Sequence, residues 1–248
     1  MPAPRIGLVI PCLNDADLLA PCLDSVSRQR EPFDCVIVVD NGSTDNTADV
    51  ARSYGAVVVS EPRRGVTWAS HAGYSEAAAR GLDVIVRIDA DVRVSPTFSL
   101  QWKNAWEEAA SNPNKDVVGM TGAARFDLPG WRGRLLSALY LRAYRYSVGS
   151  ALGHTPFFGT NCTLSAAWWL GVRDAIDPSD TFSHDDIQMS FAVRAHETVL
   201  FRPEITLLTD PRPLRGARQL ARRFSRGMHS MRQGFKNSPP QRRLCERV

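Results

Sequence analysis

The sequence contains no long hydrophobic run. Its 248 residues include no apolar stretch close to the roughly 20 residues that a membrane-spanning helix needs. The N-terminus, MPAPRIGLVIPCLND, places one arginine before a short apolar run, whereas a secretory leader has a longer run and then a small-residue cleavage site. These absences predict a cytoplasmic protein.

Closely spaced cysteines are also missing. The number of cysteines is odd, and no close pair forms a zinc or redox motif. They are Cys12, Cys22, Cys35, Cys162 and Cys245. We expect them to be reduced thiols with no chemical role. The first predicted strand is not followed by G-x-G-x-x-G, which argues against a nicotinamide-dependent enzyme.

Acidic residues are nearly absent from the C-terminal segment. Residues 212–248 hold eleven Lys and Arg but one acid, Glu246, so their net charge is +10, while the rest of the chain carries −6. A basic segment on an acidic body predicts an anionic partner, such as phosphate groups, anionic lipid or nucleic acid. Because no recognised nucleic-acid-binding module accompanies the charge, we do not expect nucleic acid.

The first ninety residues alternate between strand and helix patterns. The predicted strands cover 5–10, 34–40, 56–61 and 83–89, and the predicted helices cover 17–29, 47–55 and 65–81. The strands are continuous apolar runs. Such runs favour an α/β fold, in which a mostly parallel central sheet is covered by helices on both faces.

The pattern beyond Asp91 is looser. It predicts helices at 99–111, 131–149, 166–175 and 183–196, a strand at 116–126, a strand or loop at 157–165, and one or two strands at 198–210. A basic helix over 218–236 follows, and we expect residues 237–248 to be loose. We predict a single domain over residues 1–211, with a basic helical segment and tail over 212–248.

Polar side chains lie at the carboxyl end of each predicted strand of the first ninety residues. They are Asn14 and Asp15, then Asp40 and Asn41, then Glu61 to Arg64, then Asp89 and Asp91. Ligands bind at the carboxyl ends of the strands in such sheets, so a ligand site is expected there. Asp89 and Asp91 can chelate Mg²⁺ or Mn²⁺, which prefer oxygen ligands. The alternative is that they are two solvated loop acids.

Six segments occur in the order and spacing of a known family. They are VIPCLND, VVDNGSTDNT, GVTWASHAG, VRIDADVRV, FFGTNCTLS and SHDDIQMSFAVR. Through them, residues 5–205 resemble the GT-A family 2 glycosyltransferases. The resemblance implies one α/β domain of the Rossmann-like GT-A fold. It also implies transfer of a sugar from a nucleoside diphosphate sugar to an acceptor hydroxyl, with inversion and with Mg²⁺ or Mn²⁺.

The resemblance implies a nucleoside pocket at the first two strand ends. Pro11, Leu13 and Asn14 would line it, while Asp40 and Asn41 would face the base and ribose. The family often has Asp where this chain has Asn41. An amide can donate as well as accept, so the identity of the base stays open.

The resemblance also implies the groups around the diphosphate. Arg64, or alternatively Arg63, would reach the base or the phosphates. In the segment Asp89–Ala90–Asp91, the first aspartate would contact the ribose or the metal through water, and the second would bind the metal directly. Some relatives have a glutamine ligand two residues later. Arg93 stands there and cannot bind a metal, so it would pair with phosphate or with an acid.

By the same resemblance, the acceptor side would use the segment HDD. Asp186 would be the base that deprotonates the acceptor hydroxyl, and Asp185 would orient the acceptor. The alternative is that both acids only cap the following helix. Gly159 and Asn161, in the segment FFGTN, would form a floor under the donor sugar. The alternative for this segment is a core strand with a turn.

The basic segment has several interpretations. The family's polymer-forming members carry Q-x-x-R-W here, which Gln219–Arg223 matches in part, so Arg222 or Arg223 would bind the diphosphate. His229 is a further candidate metal ligand. The segment could instead lie on an anionic membrane surface near a glycan or lipid-linked acceptor, helped by the amphipathic stretch Trp131–Tyr146. An ordinary packed helix is the alternative for that stretch.

Two other functions compete with glycosyl transfer. A phosphatase of the haloacid dehalogenase type would use Asp89 as its nucleophile, but that family has Thr or Val where this chain has Arg93. A non-catalytic, glycosyltransferase-like binding protein is the other, and the presence of Asp91 and Asp186 argues against it.

Overall fold

We analysed a computed structural model, which describes residues 3–112, 115–212 and 216–245. The strands are β1 (Ile6–Cys12), β2 (Cys35–Asp40), β3 (Val57–Ser60), β4 (Val84–Ile88), β5 (Val92–Arg93), β6 (Asp116–Phe126), β7 (Asn161–Ser165) and β8 (Glu197–Thr209). The helices are α1 (Ala16–Ser27), α2 (Thr47–Ser53), α3 (Val66–Ala79), α4 (Phe98–Ala110), α5 (Gly130–Leu152), α6 (Ala166–Val172), α7 (Asp185–Ala192), α8 (Ala217–Asn237) and α9 (Pro240–Cys245). A short 3₁₀ turn, Arg173–Ala175, follows α6.

The described strands form one sheet in the order β3-β2-β1-β4-β7-β6-β8-β5. Strands β1 to β4 pair in parallel, so their carboxyl ends lie at one edge. Strand β7 runs antiparallel to β4 and pairs Ile88 with Asn161. This register brings the residue before β7, Thr160, beside the residue after β4, Asp89. The sheet topology therefore joins two distant segments of the sequence at the ligand edge.

Apolar side chains from both faces of the sheet form the core. One face packs against α1 and α4, with Leu19 and Trp102 completely buried. The other packs against α3 and α6, where a Cβ at Gly73 would lie 2.5 Å from Val9, so this glycine permits the close contact between helix and sheet. Because both faces are covered, the strands are apolar on both sides, as their continuous runs indicated. The predicted α/β fold is confirmed.

Several sequence predictions can be compared with the elements directly. Strand β8 is continuous, and a register shift between Gly122 and Ala123 of β6 interrupts its pairing with that strand. The prediction that the chain is loose from residue 237 onward is wrong for 240–245, because α9 forms there. Arg243 on α9 is 5% exposed and donates to the Phe191 carbonyl over 3.0 Å. A buried guanidinium with carbonyl acceptors anchors this end.

Within the described part of the chain, none of the helices combines the length and apolar character needed to cross a bilayer.

Candidate active site

The loops after β1 and β2 hold each other in place. Asn14 has a positive φ of 55° and accepts the Thr44 N–H at Oδ1 over 2.7 Å. Its own N–H donates to Ser43 Oγ, while Asp40 Oδ1 accepts the Ser43 N–H. An asparagine tolerates this left-handed conformation better than most residues. Asn14 and Asp40 therefore build the loop pair at the edge of the sheet.

Pro11, Leu13 and Ala90 lie at the same edge. Pro11 is in the last part of β1 and is half-buried, and Leu13 is 37% exposed just beyond the strand. Ala90 is buried between the two aspartates that flank it. Of these three, Leu13 offers the most apolar surface to a ligand.

Asn41 supports the loop after β3. Its side-chain N–H groups donate to the carbonyls of Glu61 and Arg63, and its Oδ1 accepts the Gly65 N–H. The residue is 3% exposed. Since both amide hydrogens are used inside the protein, Asn41 could contact a base only through the second lone pair of its oxygen.

The two arginines of this loop have different surroundings. Arg63 donates two hydrogen bonds to the Glu61 carboxylate, at 2.7 and 2.6 Å, and stacks over Trp68 at 3.6 Å. Arg64 is exposed and makes one long bond, 3.3 Å, to the Gly42 carbonyl. Arg64 is therefore the more readily available of the two for a ligand.

Asp89 and Asp91 follow β4 and differ in their partners. Asp89 is held by Thr160 Oγ1 at 2.8 Å and by Arg87 Nη2 at 3.0 Å. Asp91 Oδ2 accepts from Arg212 Nη2 at 2.9 Å. Burial, followed by the negative charge of Asp89, raises the pKa of Asp91 to about 6, although Arg212 opposes the rise. The Arg212 guanidinium thus does not offset the combined effect of burial and of the Asp89 charge on the pKa of Asp91.

This donor set fits a divalent cation. Asp89 and Asp91 present carboxylate oxygens, which Mg²⁺ and Mn²⁺ prefer. The Arg212 guanidinium is a positive group already lying against Asp91. Arg93, in contrast, pairs with Asp127 at 3.0 Å, which is the acid alternative predicted for it.

Asp185 and Asp186 begin α7 and are adjacent in sequence, but their environments are opposite. Asp185 is buried, and its Oδ2 accepts the Ser70 hydroxyl at 2.7 Å and lies 3.7 Å from Arg87 Nη2. Burial alone would raise its pKa, but Arg87 and Ser70 outweigh burial and hold the pKa of Asp185 below its usual value. Asp185 is therefore a fixed anion with little room for a substrate.

Asp186 is half-buried and has no cationic partner within ion-pair distance in the part of the chain described. Its Oδ2 accepts the Gly159 N–H at 2.9 Å and faces the Tyr144 hydroxyl at 3.2 Å, and its Oδ1 accepts the Ile187 N–H. Burial, followed by the charge of Asp185, raises the pKa of Asp186. A carboxylate with a raised proton affinity is suited to accept a proton.

The expectation that Asn161 contacts the donor sugar is wrong. Asn161 is 0% exposed, and its amide donates to the carbonyls of Ala123 and Ile205 across neighbouring strands. It cannot touch a donor sugar because it is enclosed in the sheet. Gly159, in contrast, lies beside both Arg87 and Asp186. The segment thus provides one residue near the carboxylates and one that fixes the strands.

The partners of His229 are other than Asp89 and Asp91, so its role as a metal ligand stays a prediction. His229 Nε2 lies 2.8 Å from Asp180 Oδ2, and its ring packs edge-on against Phe182. Its partner on the neighbouring loop explains its place on α8.

Helix α8 still contributes positive charge near α7. Arg226 donates to the carbonyls of Phe182 and Ser183, just before α7, at 3.0 Å each. Burial lowers the pKa of Arg226, and the charge of Asp185 opposes this effect. Arg222 is exposed one turn earlier on the same helix, and its contact with a diphosphate stays a prediction.

Sequence reasoning missed several residues that hold the carboxylates in place. They are Ser70, Arg87, Tyr144, Thr160 and Arg212. Arg226, which was also missed, holds the backbone just before α7. Arg87 had a usable signal, because a charged residue inside an apolar strand requires a partner. The others are common residue types in ordinary positions, and only the register between β4 and β7 and the packing of α3, α5 and α8 bring them to the site.

The known proteins that this chain resembles are glycosyltransferases. A family model described as glycosyl transferase family 2 matches residues 8–175. An uncharacterized glycosyltransferase of Mycobacterium tuberculosis is 40% identical over 91 residues, or 37% of this chain and 38% of that protein. A 4,4′-diaponeurosporenoate glycosyltransferase of Staphylococcus haemolyticus is 36% identical over 100 residues, or 39% of this chain and 26% of that protein. The chain thus spans well under half the length of these relatives.

Solved structures share the fold at low sequence identity. A mannosyltransferase from Pyrobaculum calidifontis, in complex with GDP-Man and Mn²⁺, has a TM-score of 0.63 and 20% identity over 98% of this chain and 73% of its own. Glucosyl-3-phosphoglycerate synthase from M. tuberculosis, in complex with UDP, has a TM-score of 0.59 and 20% identity over 93% and 80%. The family model covers more than half of the sequence, so this chain belongs to glycosyl transferase family 2.

Proposed function

We propose that the protein transfers a sugar from a nucleoside diphosphate sugar to an acceptor hydroxyl with inversion, using Mg²⁺ or Mn²⁺. One observation carries this proposal. Two carboxylate pairs, Asp89 with Asp91 and Asp185 with Asp186, are joined at the ligand edge of the sheet through the buried Arg87. A nucleotide-sugar transferase needs a carboxylate set for a cation and a carboxylate for a proton at one site.

The donor side would use the loops after β1, β2 and β3. Leu13 and the backbone around Asn14 would border the nucleoside, Asp40 would face the ribose, and Arg64 would reach the phosphates. Asn41 would act through the loop that it pins, since its amide hydrogens are used there. Arg222, exposed on α8, is the proposed second phosphate contact.

Asp91 would hold the metal directly, and Asp89 would contact it through water or hold the ribose. When bound, the metal stabilises the negative charge of the leaving diphosphate. Arg212 would move from Asp91 toward the phosphates, because its guanidinium suits either anion. Mn²⁺ is named in the complex of the mannosyltransferase and in several complexes of the phosphoglycerate synthase, which supports this assignment for the chain.

Asp186 would take the proton of the acceptor hydroxyl. Its raised pKa and its neutral hydrogen-bond partners support this role, as does the enclosure of Asp185 by Ser70 and Arg87. Asp185 would keep its negative charge and thereby increase the proton affinity of its neighbour. Tyr144 has one hydroxyl proton, which it can give to the Phe157 carbonyl at 2.6 Å, leaving its oxygen to accept from protonated Asp186.

A panel of nucleoside diphosphate sugars tests the proposal. Hydrolysis and transfer would be measured with and without Mn²⁺, using the wild type, Asp91→Ala and the control Asp174→Ala, whose side chain is 97% exposed. We expect at least one donor to be turned over by the wild type and the control but not by Asp91→Ala. If no donor binds and metal has no effect on any nucleotide, the proposal fails.

The alternative phosphatase is not favoured. Its nucleophile would be Asp89, yet both oxygens of Asp89 are engaged, one with Thr160 and the other with Arg87. A nucleophilic carboxylate needs one oxygen directed at the phosphorus. The donor panel also separates the two functions, because a phosphatase would release inorganic phosphate from simple phosphomonoesters.

The acceptor would be a glycan or a lipid-linked molecule near an anionic membrane surface, as in the synthesis of a cell-envelope polysaccharide or glycolipid. No acid lies between Asp127 and Asp174 in the sequence, and α5 there carries Trp131 at 68% and Leu139 at 54% exposure. Helix α8 also lacks acids and exposes Phe224. Exposed apolar groups among arginines complement an anionic lipid surface.

Vesicle sedimentation tests whether α5 and α8 bind an anionic lipid surface. We expect binding to phosphatidylglycerol-containing vesicles that exceeds binding to pure phosphatidylcholine and weakens with salt. The triple variant Trp131→Ser, Leu135→Ser, Leu139→Ser should lose binding, while Leu170→Ser, which removes a 49% exposed leucine on α6, should keep it. Equal binding by the triple variant would exclude α5 as the contact.

A further inference from the structure

Arg87 is a buried arginine in the middle of the sheet. It lies on β4 between Val9 of β1 and Cys162 of β7 and is 4% exposed. Arginine is rarely buried to this extent unless it is paired, because removing its charge from water is costly. In the proposed transfer, Arg87 itself contacts neither the donor, the metal nor the acceptor.

The guanidinium bridges the two carboxylate pairs. Its Nη2 lies 3.0 Å from Asp89 Oδ1 and 3.7 Å from Asp185 Oδ2. Asp89 belongs to the donor side, and Asp185 precedes the proposed base. A single nitrogen thus contacts one carboxylate from each half of the site.

The other guanidinium nitrogen, Nη1, occupies the space beside Gly159. A Cβ at Gly159 would lie 1.8 Å from Nη1 and 3.0 Å from Cζ, so no side chain fits there while Arg87 keeps its position. The Gly159 N–H donates to Asp186 Oδ2 at 2.9 Å. Arg87 therefore packs directly against the peptide that holds the proposed base.

Stability alone does not account for this arrangement. The buried Nε–H of Arg87 has no acceptor in the described residues, and such an unmet donor lowers stability. Apolar residues often replace a buried ion pair without loss of stability. A geometric role for the guanidinium at the site offers a reason for it.

Resting on the proposed transferase function, we infer that Arg87 is a positioning residue that fixes Asp185 and, through Gly159, the base Asp186 relative to Asp89. The planar fork of the guanidinium is suited to this task, because it can contact both carboxylates and still pack flat against a peptide. An ammonium group is a point charge on a flexible stem and can reach one of these partners well. Lysine should therefore replace arginine only in part.

Kinetics of Arg87→Met and Arg87→Lys test the inference, with Arg80→Met as the control. Arg80 pairs with Glu76 at the surface end of α3 and lies outside the site. We expect Arg87→Met to lower kcat about a hundredfold, as displaced catalytic groups do, with a smaller change in donor KM. Arg87→Lys should recover part of kcat, and Arg80→Met should match the wild type.

A double variant separates positioning from general damage. If Arg87 acts through Asp185, the variant combining Arg87→Met with Asp185→Asn should be no slower than the slower single variant. Multiplicative losses would overturn the route through Asp185, and the Gly159 contact alone would then have to account for the effect. A folded Arg87→Met enzyme whose kcat stays within about twofold of the wild type would overturn the inference, since a positioning role predicts a large loss.

A thermal cycle tests the contact without any substrate. Gly159→Ala should lower Tm by about 4 °C or more in the wild type, because the new methyl group collides with Nη1. In the Arg87→Lys background most of that loss should disappear, because the slimmer amine vacates the space. Equal losses in both backgrounds would overturn the contact on which the inference depends.

The kinetic and the thermal experiments together also separate this inference from the proposed function. Absence of turnover by the wild type with every donor would overturn the proposed function and the kinetic part of the inference together. The thermal cycle would still decide the Arg87–Gly159 contact. If Arg87→Met does not fold, Arg87→Lys decides the kinetic part, since full kcat in that variant would contradict the need for a guanidinium.

Discussion

The carboxylate pair after β4 and the pair at the start of α7 have different electrostatic surroundings. Each pair contains one aspartate held by Arg87 and one whose pKa is raised. Asp91 contacts a cation, the Arg212 guanidinium. Among the described residues, the hydrogen-bond partners of the Asp186 carboxylate are neutral, namely the peptides of Gly159 and Ile187 and the Tyr144 hydroxyl. The first pair is therefore suited to bind a cation, and the second to take a proton.

Asp186→Asn should have the largest effect on turnover. The amide keeps the shape of the side chain but cannot accept a proton as a base does, so we expect transfer to fall about a thousandfold. Binding of the donor in the presence of Mn²⁺, measured by calorimetry, should change little. Asp174→Asn is the matched control on an exposed acid. Loss of donor binding in Asp186→Asn would contradict its role as base and place it on the donor side.

Asp91→Asn should have the second largest effect, a loss in kcat/KM of about a hundredfold. The variant would weaken the hold on the metal that stabilises the charge developing on the leaving diphosphate. Here the failure should appear in binding. The shift in Tm that a nucleoside diphosphate produces with Mn²⁺ should vanish, while Asp186→Asn keeps it. A Mn²⁺-dependent shift that survives in Asp91→Asn would show that the cation lies elsewhere.

The sequence predicted where the two carboxylate pairs lie, but not why the two aspartates of a pair differ. The strands that end near Asp40 and Asp89 were apparent because continuous apolar runs alternate with helical spacing. The segment HDD also indicated Asp186 as the candidate base. What distinguishes Asp185 from Asp186 was not predictable, because Ser70 and Arg87 reach Asp185 only through the packing of α3 and the pairing of β4.

Asn161 and His229 both have partners that the sequence did not predict. Asn161 was a candidate because an amide can bind a sugar, and His229 was a candidate because an imidazole can bind a metal. The β7 register encloses Asn161 in the sheet, and the turn before α7 supplies Asp180 as a partner for His229. Residue type indicates what a side chain can do, whereas strand pairing and loop packing decide which groups it meets.

The pH dependence of transfer should show the influence of Asp185 on Asp186. The base must be deprotonated, so kcat should fall as the pH drops through the pKa of Asp186, which is raised above the ordinary aspartate value of about 3.9. Asp185→Asn removes a negative neighbour, so the fall should move to lower pH. A pH–rate profile on both proteins at saturating donor checks this. An unchanged profile would mean that the charge of Asp185 does not act on the base.

Arg212→Gln should have the smallest effect and would sharpen the assignment of the first pair. The guanidinium contacts Asp91 Oδ2, so it would compete with a metal for the Asp91 carboxylate. Exposed charge pairs have small net energies, and the Arg212 side chain is 43% exposed. We therefore expect only about a two- to fivefold gain in Mn²⁺ affinity, measured by electron paramagnetic resonance without nucleotide. With nucleoside diphosphate present the gain should shrink or reverse, because the variant also lacks a donor for the phosphates. Weaker Mn²⁺ binding without nucleotide would mean that Arg212 supports the metal site and does not compete for it.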